Sequence, residues 1–320
     1  MKKILIAEKV HKNILNLFGS NDILVDYLPD IKRNELLNVI SNYNVLIVRS
    51  AVKADSELIN LGSNLELIGR AGTGVDNVDV DAATRKGIIV MNTPGGNTIS
   101  AAEHTISLLL SMCRQIPQAN YSLRSGKWDR KSYSGTEIFG KTFGIIGLGK
   151  IGREVAIRLK SFGMKLVGFD PFISEELTST IEIKFLTLEE LYKESDFISL
   201  HVPLTEGTKN LLSSDTLYKC KKGVRIINCA RGGLINEVDL LNALNDGHVA
   251  GAAIDVFENE PLTDFSLINH PNVVATPHLG ASTDGAQEKV AVQLGTQILN
   301  WINGQGLFGS VNAHLLNSYL

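Results

Sequence analysis

The sequence has few cysteines, almost no charge bias and no long apolar run. Three cysteines in 320 residues make neither a disulfide framework nor a metal-binding spacing, so we expect reduced, mostly buried thiols and no metal site. The net charge of -3 gives no global attraction to nucleic acid or to an anionic membrane. The longest apolar stretch, 106–113, is interrupted by two serines and is too short to span a bilayer. The first residues lack a signal-peptide pattern, so we expect a cytoplasmic protein.

Short β-branched runs alternate with helical patterns along the whole chain, which is typical of parallel βαβ units. The length favours two domains, and neither an internal repeat nor a low-complexity tract is visible. In the first part, strands are predicted at 3–7, 45–48, 65–69 and 88–91, with helices near 12–17, 34–41 and 80–86. A second series has six strands, at 143–147, 166–170, 197–202, 224–229, 249–256 and 273–275. Six strands suffice for a complete dinucleotide-binding sheet, and the last helix, 285–302, is expected to return the chain to the first domain.

A long helix is predicted to join the two series. The run from Ser100 to Glu103 is a capping box, in which the serine and glutamate side chains satisfy free amides at a helix start. Apolar residues follow at helical spacing, and Pro117 is expected to close the helix. The stretch 121–141 is polar and rich in turn residues, so we expect it to be irregular and exposed.

Three glycines, Gly147, Gly149 and Gly152, form a G-x-G-x-x-G pattern directly after an apolar strand and at the start of an amphipathic helix. In that context the first glycine permits a tight turn, the second lets a pyrophosphate approach the backbone, and the third allows close helix–strand packing. The helix amino end then faces the phosphates. Asp170 ends the next strand, where a carboxylate accepts hydrogen bonds from ribose hydroxyls and repels a 2′-phosphate. The pattern therefore predicts NAD.

Arg231, Glu260 and His278 lie at or just beyond the ends of three strands of the same series. Ligands of open α/β sheets bind at that edge. A guanidinium can hold a substrate carboxylate bidentately, and a histidine can exchange a hydroxyl proton near neutral pH. A carboxylate beside the histidine would orient it and stabilise the imidazolium. The set predicts hydride chemistry on a 2-hydroxy acid.

Longer strings around these residues resemble one known family. They are Gly69–Asn77, Asn92–Pro94 with Gly96 and Asn97, Gly126–Arg130, the glycine pattern, Cys220–Val224, the segments around Arg231, Glu260 and His278, and Val311–Ala313. In these strings, from about residue 4 to residue 313, the sequence resembles the D-isomer-specific 2-hydroxyacid dehydrogenases. Extended strings of this kind are far more specific than the glycine pattern alone.

The resemblance implies two Rossmann-like α/β domains. Residues 1–98 with 286–320 would form a flavodoxin-like substrate-binding domain, and residues 99–285 an inserted, doubly wound NAD-binding domain, in a homodimer or larger assembly. It also implies that Arg231 binds substrate, Glu260 tunes the histidine and His278 is the acid–base group. The residues implied for NAD are Thr73, Gly147, Gly149, Lys150, Ile151, Gly152, Asp170, Val202, Cys229, Ala230, Arg231, Asp255, His278, Gly280 and Ala281. Those implied for substrate are Arg49, Ser50, Arg70, Gly72, Gly74, Asn97 and Arg130.

Within the family, the pattern is most similar to members that oxidise D-3-phosphoglycerate to 3-phosphohydroxypyruvate at the opening of serine biosynthesis. A phosphorylated substrate needs cations beyond Arg231. We expect Arg49 and Arg70, which each end a strand of the first domain, to bind the substrate phosphate. Reductases of glyoxylate or hydroxypyruvate share the catalytic residues without needing a phosphate pocket and stay open as an alternative. An NADH-responsive corepressor is a more remote alternative, and Glu260 argues against formate dehydrogenases.

Two features depart from the implied pattern. The C-terminal regulatory extension of many phosphoglycerate-oxidising members has no counterpart in the 320 residues, so serine feedback through such a domain is not expected. Position 202 is Val202 where some close relatives have threonine, which removes one possible side-chain contact and leaves a backbone contact possible.

Overall fold

A computed structural model describes residues 2–19, 23–173 and 181–316. The chain divides into two compact units, Met1–Asn97 with Ala281–Leu320 (unit 1) and Thr98–Gly280 (unit 2). Residues 1, 20–22 and 317–320, which fall in the first predicted domain, and 174–180, in the second, lie outside the described ranges.

The strands and helices alternate in chain order. The strands are β1 (Lys3–Ile6), β2 (Leu24–Tyr27), β3 (Val45–Val48), β4 (Leu67–Arg70), β5 (Ile89–Met91), β6 (Thr142–Ile146), β7 (Lys165–Phe169), β8 (Lys184–Phe185), β9 (Phe197–Leu200), β10 (Val224–Asn228), β11 (Val249–Ile254) and β12 (Val273–Ala275). The helices are α1 (Asn13–Phe18), α2 (Arg33–Val39), α3 (Ser56–Leu61), α4 (Val80–Arg85), α5 (Thr98–Arg114), α6 (Ile116–Arg124), α7 (Lys150–Ser161), α8 (Leu188–Glu194), α9 (Ser214–Leu217), α10 (Glu237–Asn245), α11 (Asp284–Ile302) and α12 (Ala313–Leu316), and a 3-10 turn covers Ile40–Asn42.

Unit 1 is built on a five-stranded parallel sheet in the order β2-β1-β3-β4-β5. This is the flavodoxin-like order, and the predicted fold class is confirmed for this unit. Ile4 and Ile6 pack with α1 and α11, whereas Leu5 packs with α2 and α3, because successive strand side chains point to opposite faces. A Cβ added to Gly295 of α11 would lie 2.9 Å from Leu17, so this glycine lets α1 and α11 approach closely.

The carboxyl-terminal segment of unit 1 is tied to β5 by a buried asparagine. Asn312 is fully buried, and its side-chain oxygen accepts from the Val90 amide at 2.9 Å. Its amide nitrogen donates to the Thr84 hydroxyl at 2.9 Å and to the Ile88 carbonyl at 3.0 Å. Each polar atom of this buried amide is therefore satisfied, as burial requires.

Unit 2 contains a seven-stranded parallel sheet in the order β12-β11-β10-β9-β6-β7-β8. Counted from β6, this is the Rossmann order with one further strand, and the strand order reverses between β6 and β9. Phe143, Ile145 and Phe197 face α5 and α7, whereas Ile146 and Ile198 face α8 and α10. The doubly wound fold predicted for this part is confirmed, and its ligand-binding edge lies where β6 and β9 end.

Two predictions about the connecting helix were wrong. The helix α5 begins at Thr98, so Ser100 lies inside it. Its hydroxyl donates to the Gly280 carbonyl at 2.8 Å and does not serve as the acceptor for a helix-start amide. The helix ends at Arg114, and Gln115 takes a left-handed conformation with φ 48°. Pro117 lies in the first turn of α6, where proline is tolerated because its missing N–H would be unsatisfied anyway.

The sequence patterns also missed β2, α3, α6, β8 and α12, and they gave no bounds for α8, α9 and α10. The edge strand β2 is only partly buried, with Leu24 49% exposed, so it lacks the apolar run that marks a central strand. The predicted strands that ran to 202, 229 and 256 end at 200, 228 and 254, because the residues after them turn into loops at the sheet edge. Within the described ranges, no helix is long and apolar enough to cross a membrane.

Candidate active site

The glycine turn after β6 depends on close backbone packing. Gly147 has φ 98°, and its amide donates to the Phe169 carbonyl at 2.8 Å. A Cβ there would lie 2.5 Å from the His201 carbonyl oxygen, and one on Gly152 would lie 2.0 Å from the Gly147 oxygen. These contacts leave room for neither side chain. The first and third glycines of the pattern are thus required by the turn itself.

The second glycine faces open space. A Cβ added to Gly149 meets nothing within 4 Å, and Gly149 precedes the twelve-residue α7 without a side-chain cap at its amino end. Asp170 lies beside this turn: one of its oxygens accepts from the Leu148 amide at 2.7 Å and the other from the Phe172 amide at 2.8 Å. The second oxygen also accepts from the Ile173 amide at 3.2 Å. A carboxylate has about four acceptor positions, so Asp170 retains capacity for a ribose hydroxyl. These residues fit the pyrophosphate and adenosine ribose of NAD.

The turn after β10 positions Arg231 and is fixed by its neighbours. The side chain of the buried Asn228 accepts from the Ala230 amide at 3.0 Å and donates to the Arg231 carbonyl at 2.8 Å. A Cβ on Gly232 would lie 1.8 Å from the Phe257 carbonyl oxygen. This close approach of the turns after β10 and β11 brings Arg231 near His278. The positive charge of Arg231 acts to lower the pKa of His278.

His278 and Glu260 form an ion pair at the same edge of the sheet. His278 Nδ1 lies 2.7 Å from Glu260 Oε2, and Glu260 Oε1 accepts from the Phe257 amide at 3.0 Å. The hydrogen bond that His278 donates to Glu260 raises the pKa of His278, although burial and the Arg231 charge oppose this shift. Burial raises the pKa of Glu260, but the bonds from His278 and Phe257 outweigh it and the net pKa is lowered. The pair therefore favours imidazolium with carboxylate.

The other histidine at this edge is not suited to proton exchange. His201 follows β9, and its Nε2 lies 2.9 Å from the Ser199 hydroxyl. Burial lowers the pKa of His201 to about 4, so it stays neutral at neutral pH. The carboxylate partner distinguishes His278 from His201.

A buried carboxylate holds the turn that carries His278. Asp255 is fully buried and accepts from the Thr276 hydroxyl at 2.5 Å and from the Leu279 and Gly280 amides at 2.8 Å. His104 Nε2, from α5, lies 3.1 Å from Asp255 Oδ1. Burial raises the pKa of Asp255, but bonds from His104, Thr276 and Leu279 outweigh it, and the net pKa lies below its ordinary value.

Most of the residues predicted for NAD lie at one edge of the unit 2 sheet. Gly147, Gly149, Lys150, Ile151 and Gly152 form the turn and the start of α7. Asp170, Val202, Cys229, Ala230, Arg231, Asp255, His278 and Gly280 follow the ends of β7, β9, β10, β11 and β12. Thr73 and Ala281 belong to unit 1.

In unit 1, the loop after β3 carries Arg49 and Ser50, and its backbone amides are hydrogen-bonded to the carboxylate of Glu8. Glu8 is 8% exposed and accepts from the amides of Arg49 at 2.7 Å, Ala51 at 3.0 Å and Val52 at 2.9 Å. Asn77 donates to the Arg49 carbonyl at 2.8 Å. The loop backbone is thus fixed, and Ser50 is exposed.

Arg70 lies at the end of the neighbouring strand β4, over a glycine. A Cβ on Gly72 would lie 1.7 Å from Arg70 Nη1, so any side chain there would displace the guanidinium. Thr73 donates to Asn97 Oδ1 at 2.6 Å, which places two further predicted residues together. Gly74 follows in the same turn, whereas Arg130 is an exposed residue of unit 2.

Sequence reasoning missed several residues that fix these turns. They are Glu8, Ser100, His104 and Asn228. Asn77 was included in the family-like segment Gly69–Asn77, but no role was predicted for it. Ser100 and His104 lie four positions apart among the buried residues Ala101, Ala102 and Thr105, and polar residues on the buried stripe of a helix are the signal that could have found them. Glu8 and Asn228 act through backbone groups of loops, for which the sequence holds no comparable signal.

Comparison with known proteins identifies the family. Residues 106–280 match "D-isomer specific 2-hydroxyacid dehydrogenase, NAD binding domain". The chain belongs to this family. The resemblance inferred from the motifs is confirmed, and with it the prediction of NAD as the cofactor of unit 2. The enzymes of this family act on small 2-hydroxy and 2-oxo acids.

Several relatives are similar over almost the whole chain. A D-3-phosphoglycerate dehydrogenase of Rattus norvegicus is 48% identical over 99% of this chain and 60% of the relative. One of Bacillus subtilis (strain 168) is 47% identical over 98% of this chain and 59% of the relative. The chain thus spans about three fifths of the length of these curated relatives. Among solved structures, a glyoxylate reductase from Paecilomyes thermophila is 30% identical, covers 98% of this chain and 99% of its own, and has a TM-score of 0.89.

Proposed function

We propose that the chain catalyses the NAD-dependent oxidation of D-3-phosphoglycerate to 3-phosphohydroxypyruvate, the first step of serine biosynthesis. The observation that carries the reaction type is the His278–Glu260 pair, with 2.7 Å between Nδ1 and Oε2, in the unit that has the nucleotide-binding turn. Identity of 48% with a relative named D-3-phosphoglycerate dehydrogenase supports this substrate.

In the proposed reaction, each residue of the set has one task. The Arg231 guanidinium binds the substrate carboxylate bidentately and, in the reverse direction, polarises the 2-oxo group for hydride addition. Neutral His278 accepts the C2 hydroxyl proton at Nε2, because its Nδ1 is bonded to Glu260. Glu260 then stabilises the imidazolium. NAD, when bound, supplies the hydride acceptor. In the reverse direction, protonated His278 gives the proton back to the carbonyl oxygen.

The proposed cofactor contacts follow the geometry of unit 2. Gly147, Gly149 and Gly152, with the amides of Lys150 and Ile151, would hold the pyrophosphate. Asp170 would accept from a ribose hydroxyl and disfavour a 2′-phosphate. The remaining residues proposed to line NAD are Thr73, Val202, Cys229, Ala230, Arg231, Asp255, His278, Gly280 and Ala281.

We propose that unit 1 is the substrate-binding domain and that Arg49 and Arg70 bind the substrate phosphate. Ser50, Gly72, Gly74, Asn97 and Arg130 complete the proposed substrate set. The charge-neutralising variants Arg49→Gln and Arg70→Gln test this. Each should raise the KM for 3-phosphohydroxypyruvate by about tenfold or more, since one charge-assisted contact is lost, and should leave the KM for glyoxylate nearly unchanged. Equal effects on both acids would contradict the phosphate role.

A reductase of glyoxylate or hydroxypyruvate is the second candidate, and it is the less favoured one: the glyoxylate reductase of known structure is 30% identical to the chain, against 48% for the relative named D-3-phosphoglycerate dehydrogenase. The deciding experiment compares NADH oxidation with 3-phosphohydroxypyruvate, hydroxypyruvate, glyoxylate and 2-oxoglutarate, and NAD reduction with D-3-phosphoglycerate. We expect the highest kcat/KM for 3-phosphohydroxypyruvate. A higher value for an unphosphorylated acid would refute the substrate and leave the reaction type standing.

The proposal includes a cytoplasmic homodimer. The described cysteines are free thiols, which fits a reducing compartment. Around α6, Tyr121 is 75% and Trp128 80% exposed, together with Ile116 and Leu123, and an apolar patch of this kind is typical of an interface between subunits. Light scattering should give about twice the 34.8 kDa chain mass, and a monomer in wild type would contradict the dimer.

A further inference from the structure

One face of α5 binds the turn that carries His278. Ser100 and His104 lie four residues apart and so project from the same side of the helix. The Ser100 hydroxyl donates to the Gly280 carbonyl at 2.8 Å, at the end of the turn. His104 Nε2 lies 3.0 Å from the Thr276 hydroxyl and 3.1 Å from Asp255 Oδ1, at its beginning. One helical turn of α5 therefore contacts both ends of the segment Thr276–Gly280.

The hydrogen bonds of this cluster fix the tautomer of His104. Asp255 accepts from the Thr276 hydroxyl, so the single proton of that hydroxyl is used and its oxygen can only accept. Both neighbours of His104 Nε2 are then acceptors. Nε2 must carry a proton, and a neutral His104 has its free lone pair on Nδ1. The cluster is a second histidine–carboxylate pair, separate from His278 and Glu260.

The turn that this cluster holds is conformationally demanding. His278 has φ 56°, a left-handed conformation that non-glycine residues seldom adopt and that persists only where the surroundings enforce it. The Asp255 carbonyl accepts from the His278 amide at 2.8 Å, and the Asp255 carboxylate accepts from the next two amides. The orientation of the His278 ring therefore depends on a buried aspartate whose side chain is held from α5.

We propose that Ser100 and His104 are positioning residues, which hold the Thr276–Gly280 turn through Asp255 and Thr276 and so set the orientation of His278 during proton exchange. This inference rests on the proposed acid–base role of His278. Neither residue need touch substrate. Their loss should therefore lower turnover more than it weakens substrate and cofactor binding, to which Asp255, His278 and Gly280 of this turn are also proposed to contribute.

The test compares three substitutions of His104 that differ in donor position. His104→Leu removes the donor, His104→Gln places an amide N–H the same number of bonds from the backbone as Nε2–H, and His104→Asn offers the same amide one bond too short. A ring displaced by about 1 Å loses on the order of 100-fold in rate. We expect kcat to fall about 10- to 100-fold in the leucine and asparagine variants, with KM and the NADH Kd within about threefold of wild type. Glutamine should recover most of the activity.

Ser100→Ala is a second, milder variant: its kcat should fall about three- to tenfold, while the lost buried hydrogen bond lowers its melting temperature by only a few degrees and leaves it folded at the assay temperature. If His104→Leu does not fold, Ser100→Ala and His104→Gln decide the question. Wild-type kcat in Ser100→Ala together with a glutamine variant that is no more active than the asparagine variant would overturn the proposal. So would a loss of NADH affinity in proportion to the loss of kcat.

A readout without turnover separates this inference from the proposed function. Long-range ¹H–¹⁵N correlation spectra of the wild-type chain labelled on histidine should show His104 as the Nε2–H tautomer. The Nδ1–H tautomer would refute the hydrogen-bond assignment whatever the substrate is. If the wild type prefers glyoxylate, the proposed substrate fails, and the comparison of variants runs unchanged with glyoxylate.

Discussion

The pairing of His278 with Glu260 makes a prediction about pH. In Glu260→Gln, the side-chain oxygen can still accept from the Phe257 amide, as Oε1 does in the wild type. The new NH₂ group then takes the place of Oε2 and faces His278 Nδ1. A donor there favours the ring form without a proton on Nδ1. The pKa of His278, which the Glu260 hydrogen bond raises in the wild type, should therefore fall.

The size of the effect follows from the geometry of the pair. A hydrogen bond to a charged group contributes about 1.5–3 kcal/mol. The side chains of His278 and Glu260 are 45% and 37% exposed, so solvent screening reduces this, and we take the lower part of the range. A loss of about 1.4 kcal/mol corresponds to a tenfold change in the protonation equilibrium of the ring.

The assay is kcat/KM against pH in both directions. Reduction of the 2-oxo acid needs protonated His278, so its rate falls as the pH rises through the pKa of His278, and in Glu260→Gln this fall should come at lower pH. Oxidation needs a neutral ring with its lone pair on Nε2, which a donor facing Nδ1 disfavours, so in Glu260→Gln the maximal rate of oxidation should fall and its rise with pH should move to lower pH. The matched control is Glu258→Gln, which removes the same charge from an exposed neighbour. If the pH profiles do not move in Glu260→Gln, or move equally in Glu258→Gln, Glu260 does not set the pKa of His278.

Two further variants test the cofactor site and the anchoring of unit 1. Asp170→Asn removes the charge beside the glycine turn, so the preference for NADH over NADPH in kcat/KM should fall about tenfold, and an unchanged preference would contradict the role of Asp170. Asn312→Ala leaves the Val90 amide and the Ile88 carbonyl buried without their side-chain partner. We expect the free energy of unfolding, measured with urea, to fall by about 2–4 kcal/mol, whereas Asn303→Ala, at an exposed asparagine of the same unit, should change it by less than about 0.5 kcal/mol.

Much of the fold follows from periodicity in the sequence. The central strands are apolar throughout because helices cover both faces of each sheet, and this made β3, β6 and β10 recognisable to within a residue or two. The edge strand β2 and the two-residue β8 have no such run. Around Ser100, the capping-box pattern favoured a helix start, but burial of the serine against Gly280 outweighs that local preference.

The candidate site could be predicted from sequence where only one residue type can do what the position requires, such as a glycine at a close backbone contact or a histidine that exchanges a proton. Gly147 and Gly152 are required by backbone contacts of 2.5 and 2.0 Å, and the side chains of His278 and Glu260 meet although eighteen residues separate them. The residues that position the catalytic side chains could not be predicted in this way. His104 lies 151 residues before Asp255 in the chain, and only the packing of α5 against the sheet brings the two together.

In the proposed reaction His278 exchanges the substrate proton. The most direct measurement is kcat for 3-phosphohydroxypyruvate reduction by His278→Ala, with NADH binding followed by fluorescence in the same preparation. We expect a kcat about 100- to 10,000-fold below wild type, with NADH affinity largely kept. A variant that binds NADH normally and turns over at a near-wild-type rate would contradict this role of His278.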